Sequence, residues 1–425
     1  MSLDSVRSSL ARCSETWYIY YPAVVLIISL SVLLITLAVN NAQTVLDRIT
    51  WNADDSLIPD FTEVVWKAYN GNPYDMGSTY LPITFLIFKQ FSYLIPDISS
   101  MESYSLTPSD PNIPYFLAEF GIMMGLCIVV TILILYKEVK ERRILSILIL
   151  LLLLGTPMIW MIERGNIIFL GFTFLLYFYF NYDSDTEWKK KTAMFCLIMA
   201  CSIKPYLGVL IILLLKDKMY KEIIQAILGL LIINLIASLW FGGAEVIGQI
   251  ISNMTSLNLT FTFIDGFKIG AANTLEIIFS NMGVEMNQVA DFMKYLICIG
   301  LLVYSILSRY RSLCALSAIL CYIMFSNVSW TYLLILLIIP IAAIYLENIS
   351  EEFAKPVLIL LIFSLAILPV GVYITPSYNT VPITYFVDAL IVLGISLIFA
   401  VIGFKRALEF ILNRLTGPEA DKETQ

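Results

Sequence analysis

Three charged side chains interrupt apolar runs in this chain, and each has a definite chemistry to offer. Asp60 follows Pro59 at the head of a short segment, 60–69. Its Phe61, Val64, Val65, Ala68 and Tyr69 fall on one helical face, and Gly71 lies just beyond. A carboxylate beside a helix lying on a bilayer can act as general base toward an attacking hydroxyl. An aspartate there can equally be a helix N-cap. Arg164 lies in Glu163-Arg164-Gly165-Asn166, between two apolar runs. Its planar fork suits a phosphate, while the plainer account is an ion pair in a tight turn. Lys204 precedes Pro205 between two apolar runs short for full spans. A lysine at membrane level needs a polar partner, a phosphate for example, or else it snorkels to the interface.

Three further turns carry polar and aromatic groups. Ser326-Asn327-Val328-Ser329-Trp330-Thr331-Tyr332 reads either as binding surface or as an interfacial aromatic belt. Gly71-Asn72-Pro73-Tyr74 and Tyr80-Leu81-Pro82 carry turn chemistry.

The elements that must position these groups are membrane helices. Hydrophobic residues make up 59% of the 425 and charged ones 14%, against about 45–50% and about 25% in globular chains. The excess is concentrated in long blocks, which excludes a soluble core. The expected fold is all-α and polytopic, with about 12 spans near 17–39, 113–136, 144–160, 166–181, 191–203, 206–216, 220–240, 293–308, 312–325, 330–347, 355–375 and 383–403. The pair 191–203 and 206–216 reads as a hairpin or as thin, tilted spans. The first run is too long for a cleaved signal peptide.

With no histidine, His-based triads, imidazole metal sites and imidazole relays drop out. The net charge of −7, without a basic patch, argues against nucleic acid. The cysteines lack metal-type spacing and read as small core residues.

Orientation follows from Lys and Arg. With the N-terminus (1–16) and the tail (405–425) in the cytoplasm, 19 of the 26 fall inside. The run 80–95 must then skim the membrane rather than cross it. Residues 40–112 become one acidic external loop, 241–292 a second, polar one, and 17–404 the membrane domain. The second loop holds the sequons Asn253-Met254-Thr255 and Asn258-Leu259-Thr260. Asp60, Arg164 and Lys204 all lie outside.

Taken in order, Asp60-Phe61, Gly71-Asn72-Pro73-Tyr74, Tyr80-Leu81-Pro82, Gly165-Asn166, Lys204-Pro205-Tyr206 and Ser326-Asn327-Val328-Ser329-Trp330 resemble the motifs of polyprenol-phosphate-sugar-dependent glycosyltransferases of the GT-C superfamily. The likeness is to family 87, the bacterial α-mannosyltransferase group, and runs from about 17 to 350. It implies a GT-C-like bundle in the bacterial inner membrane with its active site on the periplasmic face. It implies transfer of a hexose, mannose or glucose, from a polyprenyl-phosphate donor to a glycolipid or polysaccharide acceptor, with inversion. Asp60 matches the family's base. Arg164 and Lys204 become candidates for the donor phosphate, and Asn166, Tyr74, Tyr80, Ser329, Trp330 and Tyr332 for substrate binding. No cofactor is expected. Asp54-Asp55 resembles the paired acidic motif of other GT-C enzymes, some of which use a divalent metal, but no metal is expected here.

The chain departs from the family at Tyr332, where a histidine is common, and at Ile83 and Asn327, where prolines are common. Tyrosine can donate a hydrogen bond there but is not a cation at neutral pH. Two other readings compete. A transporter or flippase for lipid-linked sugars calls for polar groups at mid-membrane and two related halves. An O-antigen-type polymerase relies on Arg and His in large external loops.

Overall fold

The computed structural model describes residues 57–107, 109–260, 268–284, 286–347, 349–351, 353–366, 373–374 and 381–415, with 21, 23–31, 34, 35 and 38 of the first expected span. Asp54, Asp55 and both ends of 17–39 lie outside them, although 23–31 is helical.

The helices are α1 Pro59–Tyr69, α2 Pro82–Ser92, α3 Ile113–Glu138, α4 Arg142–Leu154, α5 Thr156–Arg164, α6 Ile168–Asn181 and α7 Glu187–Ile203. After a 3-10 stretch, Pro205–Leu210, come α8 Ile211–Lys216, α9 Tyr220–Ser238, α10 Glu245–Thr260, α11 Ala271–Asn281, α12 Asn287–Leu307 and α13 Arg311–Phe325. A second 3-10 stretch, Thr331–Leu337, leads into α14 Ile338–Leu346. Then follow α15 Ala354–Ala366, the two-residue strands β1 Tyr373–Ile374 and β2 Val381–Pro382, and α16 Ile383–Leu415. The strands pair antiparallel, Tyr373 against Pro382 and Ile374 against Val381.

The protein is a helical membrane protein. Among the described residues five helices are long and apolar enough to cross a bilayer: Ile113–Glu138, Arg142–Arg164, Tyr220–Ser238, Asn287–Leu307 and Ile383–Arg414. Shorter apolar helices fill the space between them. The outward stripes confirm the medium. Ile122, Leu126, Val129 and Leu133 on α3, and Ile224, Leu228, Leu231 and Leu235 on α9, are exposed at helical spacing, an apolar surface that water would not tolerate.

Several expected boundaries move. The expected span 144–160 becomes the longer candidate span Arg142–Arg164, broken at Gly155 into α4 and α5, and Pro157 sits in the first turn of α5, where its missing N–H costs nothing. The last helix runs past 403, through Lys405 and Arg406, to Leu415. Loop 241–292 holds two helices, α10 and α11. The segment 80–95 does contain one short helix, α2, of 11 residues, too short to span.

Close backbone approach ties α12 to α16. A Cβ on Gly300 would lie 2.7 Å from the Cβ of Ala400, and Gly403 abuts the Gly300 carbonyl and Tyr304. Small residues at a helix crossing let dispersion and backbone contacts act in a solvent that offers no hydrophobic drive.

Candidate functional site

The short amphipathic helix forms as its pattern requires. In α1, Phe61, Val64, Val65 and Ala68 are buried. Phe61 meets Phe88 and Phe91 near α2 and Phe116 and Phe120 of α3, at ring distances from 5.4 to 6.5 Å. The Thr62 hydroxyl donates to the Tyr104 carbonyl at 2.9 Å and the Trp66 indole to Met101 at 3.2 Å. The described part of the first loop from residue 57 on is therefore folded around α1.

The N-cap reading of Asp60 fails. Ile58 is the N-cap residue, with φ 44° and ψ 48°, and no side chain caps the helix. A β-branched residue in the left-handed region is strained, by about 1–2 kcal/mol. Asp60 sits one residue inside Pro59, and its carboxylate turns away from its own helix. One oxygen accepts from Arg164 Nη2 at 2.7 Å and the other from Asn166 Nδ2 at 2.6 Å.

The turn that delivers those two donors is specified locally. α5 ends at Arg164 with Gly165 at φ 64°. The Gly165 N–H donates to Ile162 and the Asn166 N–H to Met161, a Schellman-type close. Gly165 is required twice over: its φ is left-handed, and a Cβ there would lie 2.6 Å from the Ile58 Cβ. The strained start of α1 and the end of α5 thus lock together. The Asn166 Oδ1 accepts the Ile168 N–H at 3.0 Å, which leaves its NH2 for Asp60 and fixes the amide's orientation. The Tyr332 phenol lies in the electrostatic neighbourhood of Asp60 and Arg164.

Lys204 and Tyr80 form the adjoining group. Pro205 ends α7, and Lys204 Nζ donates to the Tyr80 hydroxyl at 2.8 Å, 4.0 Å from the ring centroid. A polar lattice sets this meeting. The Thr84 hydroxyl of α2 donates to the Ser202 carbonyl, while Asn234 of α9 accepts the Ile83 N–H and donates to the Ser202 hydroxyl. Asn234 thereby satisfies one of the orphan amides at the start of α2. Burial lowers the Lys204 ammonium to about 8, with Asp60 and Glu63 pulling it back up. Burial, then the nearby Asp60 and Glu63 charges, raise the Tyr80 phenol. These couplings bring Lys204 and Tyr80 into the same electrostatic neighbourhood as Asp60 and Arg164.

The other expected residues divide. Tyr74 is buried and acts as a strut, its hydroxyl donating to the Tyr80 carbonyl at 3.1 Å. Its loop is clamped by α10: the Asn253 amide donates to the carbonyls of Tyr74 and Ser78. The first sequon is thereby committed to structure. Trp330 is half-buried and pairs across an isolated bridge with Lys268, whose Nζ lies 5.5 Å from its ring. Ser329 is buried, and its carbonyl accepts the Ile269 N–H. Its hydroxyl meets none of the other expected site residues.

Sequence reasoning missed Trp160. It is buried on α5 one turn before Arg164 and packs against Trp330, Tyr332 and Tyr385 at 6.1, 5.9 and 6.0 Å. The i, i+4 spacing to Arg164 was the available signal. Also missed was Glu163, whose carboxylate carries a buried oxygen without a hydrogen-bond partner, beside Arg164. Among the described residues there is no cluster of three metal-type ligands. No protein-family model, curated protein or solved structure matches the chain.

Proposed function

We propose that this protein is a membrane glycosyltransferase of the GT-C type, taking a hexose from a polyprenyl-phosphate donor on the periplasmic face of a bacterial inner membrane. The observation that carries the reading is the Asp60 carboxylate, held by Arg164 and Asn166 in a neighbourhood that also contains the half-buried ammonium of Lys204. Each Asp60 oxygen keeps a lone pair free to accept a proton.

In the proposed step the acceptor hydroxyl attacks the anomeric carbon as its proton passes to Asp60. The bond from that carbon to the phosphate oxygen breaks, and the electron pair leaves with the lipid phosphate. Lys204 and Arg164 stabilise the charge that develops there. The attack opposes the leaving group, so the configuration inverts. Tyr332 replaces a cation with a neutral donor, which leaves the phosphate to the other two.

A second reading, transport of a lipid-linked sugar, draws on a different observation. Asp388 in α16 and Glu119 in α3 are buried carboxylates without hydrogen-bond partners among the described residues. Ionisable groups inside spans often mark a translocation path. The test is reconstitution with a panel of polyprenyl-phosphate sugars and glycolipid acceptors. Sugar transfer from one donor supports the first reading. Movement of the intact donor across the bilayer, without transfer, supports the second and overturns the first.

A further inference from the structure

Two tyrosines that the proposed chemistry does not use stand beside the proposed phosphate cation. Tyr206 lies two residues after Lys204, in the 3-10 stretch Pro205–Leu210, and Tyr322 lies near the end of α13. Their rings stack almost parallel, with centroids 4.2 Å apart and an interplanar angle of 10°. A near-parallel pair also occurs in the core, Phe169 with Phe172 at 5.4 Å and 13°, but those rings are fully buried.

Tyr206 and Tyr322 are half-buried and pack against the edge of the core, whereas their chain neighbours Leu207, Leu210, Ile319 and Ile323 are fully buried. Tyr206 is also close enough to Tyr80, Tyr332 and Asp60 to feel their charges. A stacked, half-buried aromatic pair thus begins two residues after Lys204 and shares the electrostatic neighbourhood of Asp60.

We infer that Tyr206, backed by the stacked ring of Tyr322, is the platform for the hexose ring of the lipid-linked donor. The inference rests on the glycosyltransferase reading of the same site. A pyranose has an apolar face of C–H bonds and a rim of hydroxyls. It matches a ring surface that carries phenols at its edge and a cation next to it for the phosphate. A bare prenyl chain has no use for the phenols.

The test compares two probes on purified protein: undecaprenyl phosphate, and the same lipid phosphate carrying mannose or glucose. Tyr206→Ala weakens binding of the better sugar-carrying lipid by roughly tenfold and leaves undecaprenyl phosphate unchanged. Tyr206→Phe keeps the ring and loses the hydroxyl, so it weakens binding of the sugar-carrying lipid by less than Tyr206→Ala does, which guards against a folding defect. Tyr322→Ala follows Tyr206→Ala in direction with a smaller effect. Equal weakening of both probes makes Tyr206 a phosphate or lipid contact and overturns the platform alone, as does no change in either. Failure of the wild-type protein to bind either probe overturns the donor reading and the platform with it.

Discussion

The two ends of the helix bundle treat charge differently. α7 carries Lys190 near one end and Lys204 just past the other, about 20 Å apart at 1.5 Å per residue. At the Lys190 end, cations meet carboxylates. Lys190 pairs with Glu222 at 2.6 Å, Arg406 with Glu351, and Arg311 with both Asp183 and Asp217. The Tyr182 hydroxyl donates to Asp217, and the Ser312 hydroxyl and N–H donate to Glu347. At the Lys204 end Arg164 is likewise paired, with Asp60, but the Lys204 ammonium has a neutral phenol for its hydrogen bond, and among the described residues no carboxylate pairs with it. A satisfied network fastens helices. An ammonium left with a phenol, beside rings that are half open, keeps charge available for a ligand.

The sharpest break in the comparison is Asp60→Asn. If the Lys204 end does chemistry, this change lowers kcat by about a thousandfold with donor binding little altered, measured by single-turnover transfer and by equilibrium binding. Gly165→Ala comes next. It adds a Cβ against Ile58 at a left-handed φ, and costs about 2–3 kcal/mol in thermal or denaturant stability. It also displaces Arg164 and Asn166 from Asp60, so transfer falls with it.

A pH series probes the same end more gently. Lys204 titrates near 8 because burial disfavours its charge. Its cation is present below that pH and lost above it, so donor affinity falls roughly tenfold per pH unit as pH rises beyond about 8. Lys204→Arg removes this dependence. Linkage has the opposite sign for folding. The unfolded lysine holds its proton to a higher pH, so the stability cost of the buried charge is relieved as pH rises from about 8 toward the ordinary lysine value. At the other end, Arg311→Ala lowers stability by about 1 kcal/mol in a melting experiment and leaves donor affinity and kcat unchanged.

Sequence made the local pieces legible. Periodicity placed the α1 face, and Pro205 placed the end of α7. Gly165 closed the turn that carries Arg164 and Asn166. All of these depend on neighbours within a few residues. The cap reading of Asp60 was settled only by Ile58 occupying the cap, a strained conformation that no propensity anticipates. Trp160, Tyr322 and Tyr385 were hidden because they sit inside apolar runs. Hydropathy registers such a run as membrane and says nothing of which face turns inward. Ser329 was overread, since a polar residue in a motif-like turn looks the same whether its hydroxyl or its carbonyl does the work. The tie from α2 through Ser202 to Asn234 joins positions 84, 202 and 234, a contact that spacing cannot reveal.

The most direct test is equilibrium binding of undecaprenyl phosphate to purified wild type, Lys204→Ala and Arg311→Ala at pH 7. If Lys204 holds the donor phosphate, wild type binds, Lys204→Ala binds at least tenfold more weakly, and Arg311→Ala keeps wild-type affinity. Equal affinity in all three proteins, or a loss confined to Arg311→Ala, contradicts it.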